Sequence, residues 1–136
     1  MVKLIVGGTG TGKSKRLVAD LNEEAKTDEG SIICIIPGDR LNPYIKYHVR
    51  MIDTTEYPIN TYDEFLAFIA GINARDFDVS LIYIDSIGKI VNSDQKELAK
   101  FLAALEGLSE QMNFDVKIAF SCPEDEVSDE IKYYVR

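Results

Sequence analysis

The sequence predicts an α/β domain: a three-layer sandwich in which helices cover both faces of a mainly parallel five-stranded sheet. Short apolar runs alternate along the chain with segments of helical periodicity, the order that builds a sheet from crossover units. Two of these runs, residues 32–36 and 79–84, are apolar almost without a break. Such continuity means burial on both faces, as in a central parallel strand. Length agrees. At 136 residues, 46% hydrophobic and 28% charged, the chain can bury about two thirds of its unfolded surface and needs no staples.

The first strand is placed at residues 2–6 and stops at Gly7-Gly8. A helix follows with Leu17, Val18, Leu21 and Ala25 on one face, then a polar loop over 27–30. The second strand, 32–36, is ended by Pro37-Gly38. Asn42-Pro43 is expected to start a helix through Tyr44, Ile45, Tyr47, His48 and Met51, and a short third strand is placed at 57–60. Thr61-x-x-Glu64 spells a capping box. It opens a helix with Phe65, Phe68, Ile69 and Ile72 inward, expected to end near Gly71-Ile72-Asn73. The fourth strand, 79–84, is terminated by Asp85. Asn92-Ser93-Asp94 caps the most regular helix, whose stripe Leu98, Phe101, Leu102, Leu105, Leu108 and Met112 keeps the helical period. The fifth strand, 116–120, runs into Ser121-Cys122-Pro123, and the acidic tail closes with a short helix holding Ile131 and Tyr134. No repeat or long linker divides the chain, so residues 1–136 are read as a single domain.

Composition removes several function classes. Fifteen Lys and Arg against 23 Asp and Glu leave a net charge of −8, which argues against a general nucleic-acid coat or an anionic-membrane binder. Arg40, Lys46, His48 and Arg50, interleaved with Tyr44 and Tyr47, form the one locally basic segment. It reads as an exposed helix with ordinary surface charges ahead of a contact with phosphate, nucleic acid or a stacked base. His48 is the sole histidine, so no His-based triad or His zinc cluster can be built. Cys34 and Cys122 lack metal or redox spacing and lie in or beside apolar runs, the pattern of reduced thiols in a cytosolic core. No apolar stretch reaches the ~18 residues of a membrane span, and the N-terminus lacks a signal-peptide layout. A cytoplasmic chain without membrane contact is expected.

Residues 7–14 read Gly-Gly-Thr-Gly-Thr-Gly-Lys-Ser and fit G-x-x-x-x-G-K-S without a mismatch, between a strand and a helix. A polyphosphate needs several donors converging on it. Gly8, Gly10 and Gly12 let the backbone curl so that successive N–H groups point inward, and the helix starting near Lys13 adds unpaired first-turn N–H groups. Lys13 can reach the β- and γ-phosphates as a mobile point charge, while the Ser14 hydroxyl is placed for Mg²⁺. The expected nucleotide contacts are Gly8, Thr9, Gly10, Thr11, Gly12, Lys13, Ser14 and Lys15. A dinucleotide-binding turn is disfavoured because Lys13 stands where its third glycine belongs.

This loop resembles the Walker A element of the P-loop NTPase superfamily, and Leu81-Ile82-Tyr83-Ile84-Asp85 resembles a Walker B strand. The resemblance implies an ATP (or other NTP) site in which Lys13 and Asp85 act on the phosphates and Ser14 and Asp85 hold Mg²⁺. A further strand lies between the two motifs, and Asp85-Ser86 is similar to the form found in RecA-like, additional-strand ATPases. Ser121, after the last strand, stands where that division carries a polar sensor, and residues 57–65 are similar to a strand–Thr–helix step of helicase-like motors. The chain departs from the pattern at Ser86, where many such ATPases place a glutamate; Asp39 is then the nearest acidic candidate for a base, with Asp53 and Glu56 behind it. Slow or partner-activated hydrolysis is therefore expected, the missing group coming from a protein partner or a further copy of the chain. Arg75 and Arg136 are the candidates for arginine fingers. Two rivals stand beside this reading: a small nucleotide or metabolite kinase, and a non-catalytic ATP-gated interaction module.

Overall fold

A computed structural model describes residues 1–27, 30–46 and 48–135. Tyr47, expected within a helix, and Arg136, a candidate finger, lie outside the described residues. The described strands are β1 (Val2–Gly7), β2 (Ser31–Ile36), β3 (Val49–Asp53), β4 (Val79–Ile84) and β5 (Asp115–Ser121). All neighbours pair parallel, in the order β1-β5-β4-β2-β3. The mainly parallel five-stranded α/β sheet read from the sequence is thus the observed fold.

The helices are α1 (Lys13–Thr27), α2 (Tyr62–Arg75), α3 (Ile87–Ile90), α4 (Gln95–Met112) and α5 (Asp129–Lys132). Alternate residues of the central strands supply two cores. Ile33, Ile35, Ile82 and Ile84 pack with Phe65 and Ile69 of α2 and Leu98, Phe101, Leu102 and Leu105 of α4. Ile32, Cys34, Leu81 and Tyr83 pack with Leu17, Leu21 and Ala25 of α1. Each such aliphatic side chain contributes roughly 1.5–3 kcal/mol by leaving water, which is why the strands are apolar on both faces. Asp20 of α1 ties that helix to the sheet, accepting from Tyr83 Oη at 3.1 Å and Lys117 Nζ at 2.5 Å.

The expected caps form. Thr61 Oγ1 accepts from Glu64 N–H at 3.1 Å while Glu64 accepts from Thr61 N–H, and Asp94 caps α4 through Lys96 and Glu97 N–H. Ile131 and Tyr134 are buried in and just after α5. The tail there protects a sheet edge: Leu4 N–H donates to Tyr134 O at 2.7 Å, and Leu4 bridges Val135.

Three expectations need correction. The third strand is Val49–Asp53, not 57–60, and the helix expected from Asn42 is a single 3₁₀ turn, Asn42–Tyr44. Val49, Met51 and Ile52 are partly or fully buried while Arg50 is exposed, the half-polar pattern of an edge strand, which a helical stripe mimics over so short a stretch. Residues 57–60 run as an extended connection in which Pro58 can donate to no ladder. Finally, α2 continues past Gly71 to Arg75, because a helical glycine with open space around it costs about 1 kcal/mol but does not stop the helix.

Candidate functional site

Ligands of open parallel sheets bind outside the carboxyl ends of the strands, and a cavity of about 400 Å³ lies there. The turn after β1 contributes Thr9, Gly10 and Gly12, and the first turn of α1 contributes Lys13, Ser14 and Lys15. Arg40 enters from the loop after β2, Asp85 and Ser86 from the end of β4, Lys89 from α3, and Ala119 and Ser121 from β5.

The turn is built as its glycines demand. Gly10 and Gly12 have φ of +82° and +84°, backbone that favours glycine. At Gly7 a Cβ would stand 2.5 Å from Thr11 Oγ1, so close approach excludes a larger residue. Gly8, expected to need its conformational freedom, has an ordinary φ; its part is the carbonyl, which accepts from Thr11 Oγ1 at 2.7 Å and Lys13 Nζ at 2.8 Å. Gly8 and Thr11 therefore brace the turn and do not line the cavity.

Lys13 is 8% exposed, and among the described residues no carboxylate pairs with it; the Gly8 carbonyl is its acceptor. Arg16 N–H already donates to Gly12 O at 3.0 Å. The N–H groups of Lys13, Ser14 and Lys15, one turn earlier, have no protein acceptor among the described residues, as a helix start requires.

Opposite them Asp85, 1% exposed, is held from every side. Its N–H donates to Ile35 O at 2.9 Å, which fixes the end of β4 against β2. Oδ1 accepts from Ser14 Oγ at 2.9 Å, and Oδ2 accepts from Arg40 Nη2 at 2.5 Å and Ser86 Oγ at 2.9 Å. Ser86 adopts φ +56°, ψ +50°, the left-handed region, and its hydroxyl turns back onto its neighbour's carboxylate. The Asp85 charge reaches Cys34 beneath it. Burial first, and that charge second, push the Cys34 thiol up to about 12. Cys122 is also raised, by burial and then by Glu126 and Asp125. Both cysteines are free and buried, and neither has thiolate character at neutral pH.

The structure brings together Lys13, Ser14, Lys15, Asp85 and Ser121 as the sequence predicts; Ser121 is aligned with Gly7 across the β1–β5 pair. It does not bring Asp39 there. Asp39 lines a separate groove of about 640 Å³ between β3 and α2, together with Asp53, Glu56, Tyr57, Phe68 and both Arg50 and Arg75. The basic segment is dispersed likewise: Arg40 is in the cleft, Arg50 in the groove, and His48 meets the Ala25 carbonyl of α1. Sequence reasoning missed Ser86 and Lys89 as cleft residues, and offered Arg40 only within a basic segment whose second reading was a phosphate or nucleic-acid contact. For Arg40 a signal existed, since it follows a β-strand's carboxyl end by four residues.

Among the described residues no group of three or more His, Cys, Asp or Glu could hold a metal ion by itself, and no helix is long and apolar enough to cross a membrane. The oxygen pair Ser14–Asp85 suits a small hard cation that takes its remaining ligands from phosphate and water. Two comparisons with known proteins were negative: no family model matches the chain, and no curated protein matches it with significance.

Proposed function

We propose that the chain is a P-loop NTPase-like domain that binds a nucleoside triphosphate, ATP in the first instance, as its Mg²⁺ complex at residues 8–15. Hydrolysis of the β–γ phosphoanhydride is slow or waits on a partner. The observation that carries this reading is Lys13, a buried ammonium whose acceptor is a neutral carbonyl and which has no carboxylate partner among the described residues, beside first-turn backbone N–H groups with no protein acceptor among those residues. A desolvated cation so placed calls for a polyanion.

The chain's own groups divide the work. The turn's amides hold the phosphates, and Lys13 leaves the Gly8 carbonyl for the β- and γ-oxygens. Ser14 and Asp85 would hold Mg²⁺, whose charge offsets that of the β- and γ-phosphates. Asp85 is the one carboxylate lining the cleft among the described residues, and its oxygens are engaged. Among the described residues lining the cleft nothing acidic is left to polarise an attacking water, so turnover rests on positioning and electrostatics. The position of β5 between β1 and β4 supports the RecA-like, additional-strand division.

Thermal denaturation tests the reading. MgATP should raise the midpoint of the wild-type chain, and Lys13→Ala should lose that shift while keeping its own ligand-free midpoint. An equal shift in the variant overturns the assignment. A small-molecule kinase gains support from one observation, the groove that begins at Asp39 beside Arg40 and offers room for an acceptor. Phosphate appearing on an added acceptor, and not in water, would select it. ATP binding with no ADP formed over hours would select a nucleotide-gated interaction module.

A further inference from the structure

We infer that Arg40 is an exchangeable counter-ion: it neutralises Asp85 until a Mg²⁺–triphosphate enters the cleft, then moves to the γ-phosphate. The inference rests on the nucleotide reading above and adds to it a residue that distinguishes triphosphate from diphosphate.

Asp85 sets the requirement. A carboxylate at 1% exposure must be paired, and the formal positive charge that touches it is the Arg40 guanidinium at 2.5 Å. The same carboxylate, with Ser14 Oγ at 2.9 Å, forms the oxygen pair suited to Mg²⁺. A divalent cation beside that pair and a guanidinium in contact with it repel one another at short range in a poorly solvated site, so one excludes the other.

Arg40 is built to be the one that leaves. Its side chain is 48% exposed and reaches Asp85 from a loop, whereas Asp85 is fixed at a strand end by its own N–H. Its remaining contact in the cleft is the Ser86 hydroxyl at 3.1 Å, so no second carboxylate holds it there among the described residues. The backbone under it is anchored: Gly38 N–H donates to Asp53 Oδ1 at 2.8 Å, and Asn42 N–H to Asp39 O at 3.0 Å. Displacement is therefore a swing of the long side chain between two anions that line one cleft. The planar guanidinium fork matches a terminal phosphate better than a lone carboxylate oxygen does. With a diphosphate the second anion is missing, and breaking the Arg40–Asp85 pair goes uncompensated.

Isothermal titration calorimetry of MgATP and MgADP, on wild type, Arg40→Ala and Arg40→Lys, tests this. The wild-type chain should prefer MgATP by about tenfold or more, the worth of one charge-assisted contact. In Arg40→Ala that preference should collapse, with MgATP bound more weakly and MgADP bound as tightly as before or more tightly, since the competitor for Asp85 is gone. Arg40→Lys, which keeps the charge without the fork, should fall between them. An unchanged ratio in Arg40→Ala, or an equal loss for both nucleotides as a merely bracing role would give, overturns the inference and leaves the nucleotide reading standing. Failure of the wild type to bind either nucleotide overturns both. If Arg40→Ala does not fold, Arg40→Gln, which keeps a polar side chain without the charge, takes its place: a collapsed ratio supports the exchange and an unchanged one overturns it.

Discussion

Two hollows open on the sheet, and the smaller one is the better site. The groove between β3 and α2 is the larger, about 640 Å³ against about 400 Å³, yet its Asp53 and Arg50 are already engaged. Asp53 accepts from Thr55 Oγ1 at 2.7 Å, Thr55 N–H at 2.9 Å and Gly38 N–H at 2.8 Å. Arg50 adds its charge to the hydrogen bonds from Asp78 and Ser31 that hold the Asp76 carboxyl low. In the cleft beside the turn after β1 the balance is reversed: Lys13 is buried beside a neutral carbonyl, with no carboxylate of its own among the described residues. Unmet polar demand, and not volume, is thus what separates the two hollows.

Substitutions on either side put this contrast at risk. The most damaging falls at Phe65, fully buried on α2 and stacked on Phe101 at 5.5 Å. Phe65→Ala should cost about 3–5 kcal/mol in chemical denaturation, with nucleotide affinity unchanged wherever the variant is folded. Lys13→Ala should do the opposite, losing about a hundredfold in MgATP affinity with little change in stability, while Arg75→Ala in the groove leaves affinity alone. Equal losses from Lys13→Ala and Arg75→Ala would erase the distinction between the hollows. Asp85→Asn should reduce the enhancement of nucleotide binding by Mg²⁺ by about ten- to a hundredfold. Its fold should survive, because Arg40 is exposed enough to find water.

A milder change probes the groove. Hydrogen bonds from Thr55, and then from Gly38, hold the Asp53 carboxyl below its usual range. A folded-state pKa below the unfolded value of about 3.9 means stability present above that value and lost as pH falls through the folded pKa. Asp53→Asn should therefore lower the denaturation midpoint at neutral pH, and the gap from wild type should close in acid. A gap of constant size would remove the carboxylate's charge from the account.

Much of this was legible in the residues. The runs at 32–36 and 79–84 read as two-sided strands because successive positions, Ile32 to Ile35 and Leu81 to Ile84, enter the two cores in turn. The turn after β1 was legible because its demands are local: Gly10 and Gly12 need left-handed backbone, and Lys13 and Ser14 follow directly. What escaped was tertiary. β3 is an edge strand whose half-polar pattern has no period of its own, and its pairing with β2 decides it. Arg40 and Asp85 are 45 residues apart and meet only because β2 and β4 are neighbours. Asp39 and Arg40 look interchangeable as loop charges, yet successive side chains there line different hollows.

The tail that runs beside Leu4 has a consequence for how copies of this chain can associate. Part of the β1 flank is taken up by that contact, so the edge that leaves more main chain open to a further strand is β3, whose strand partner among the described residues is β2.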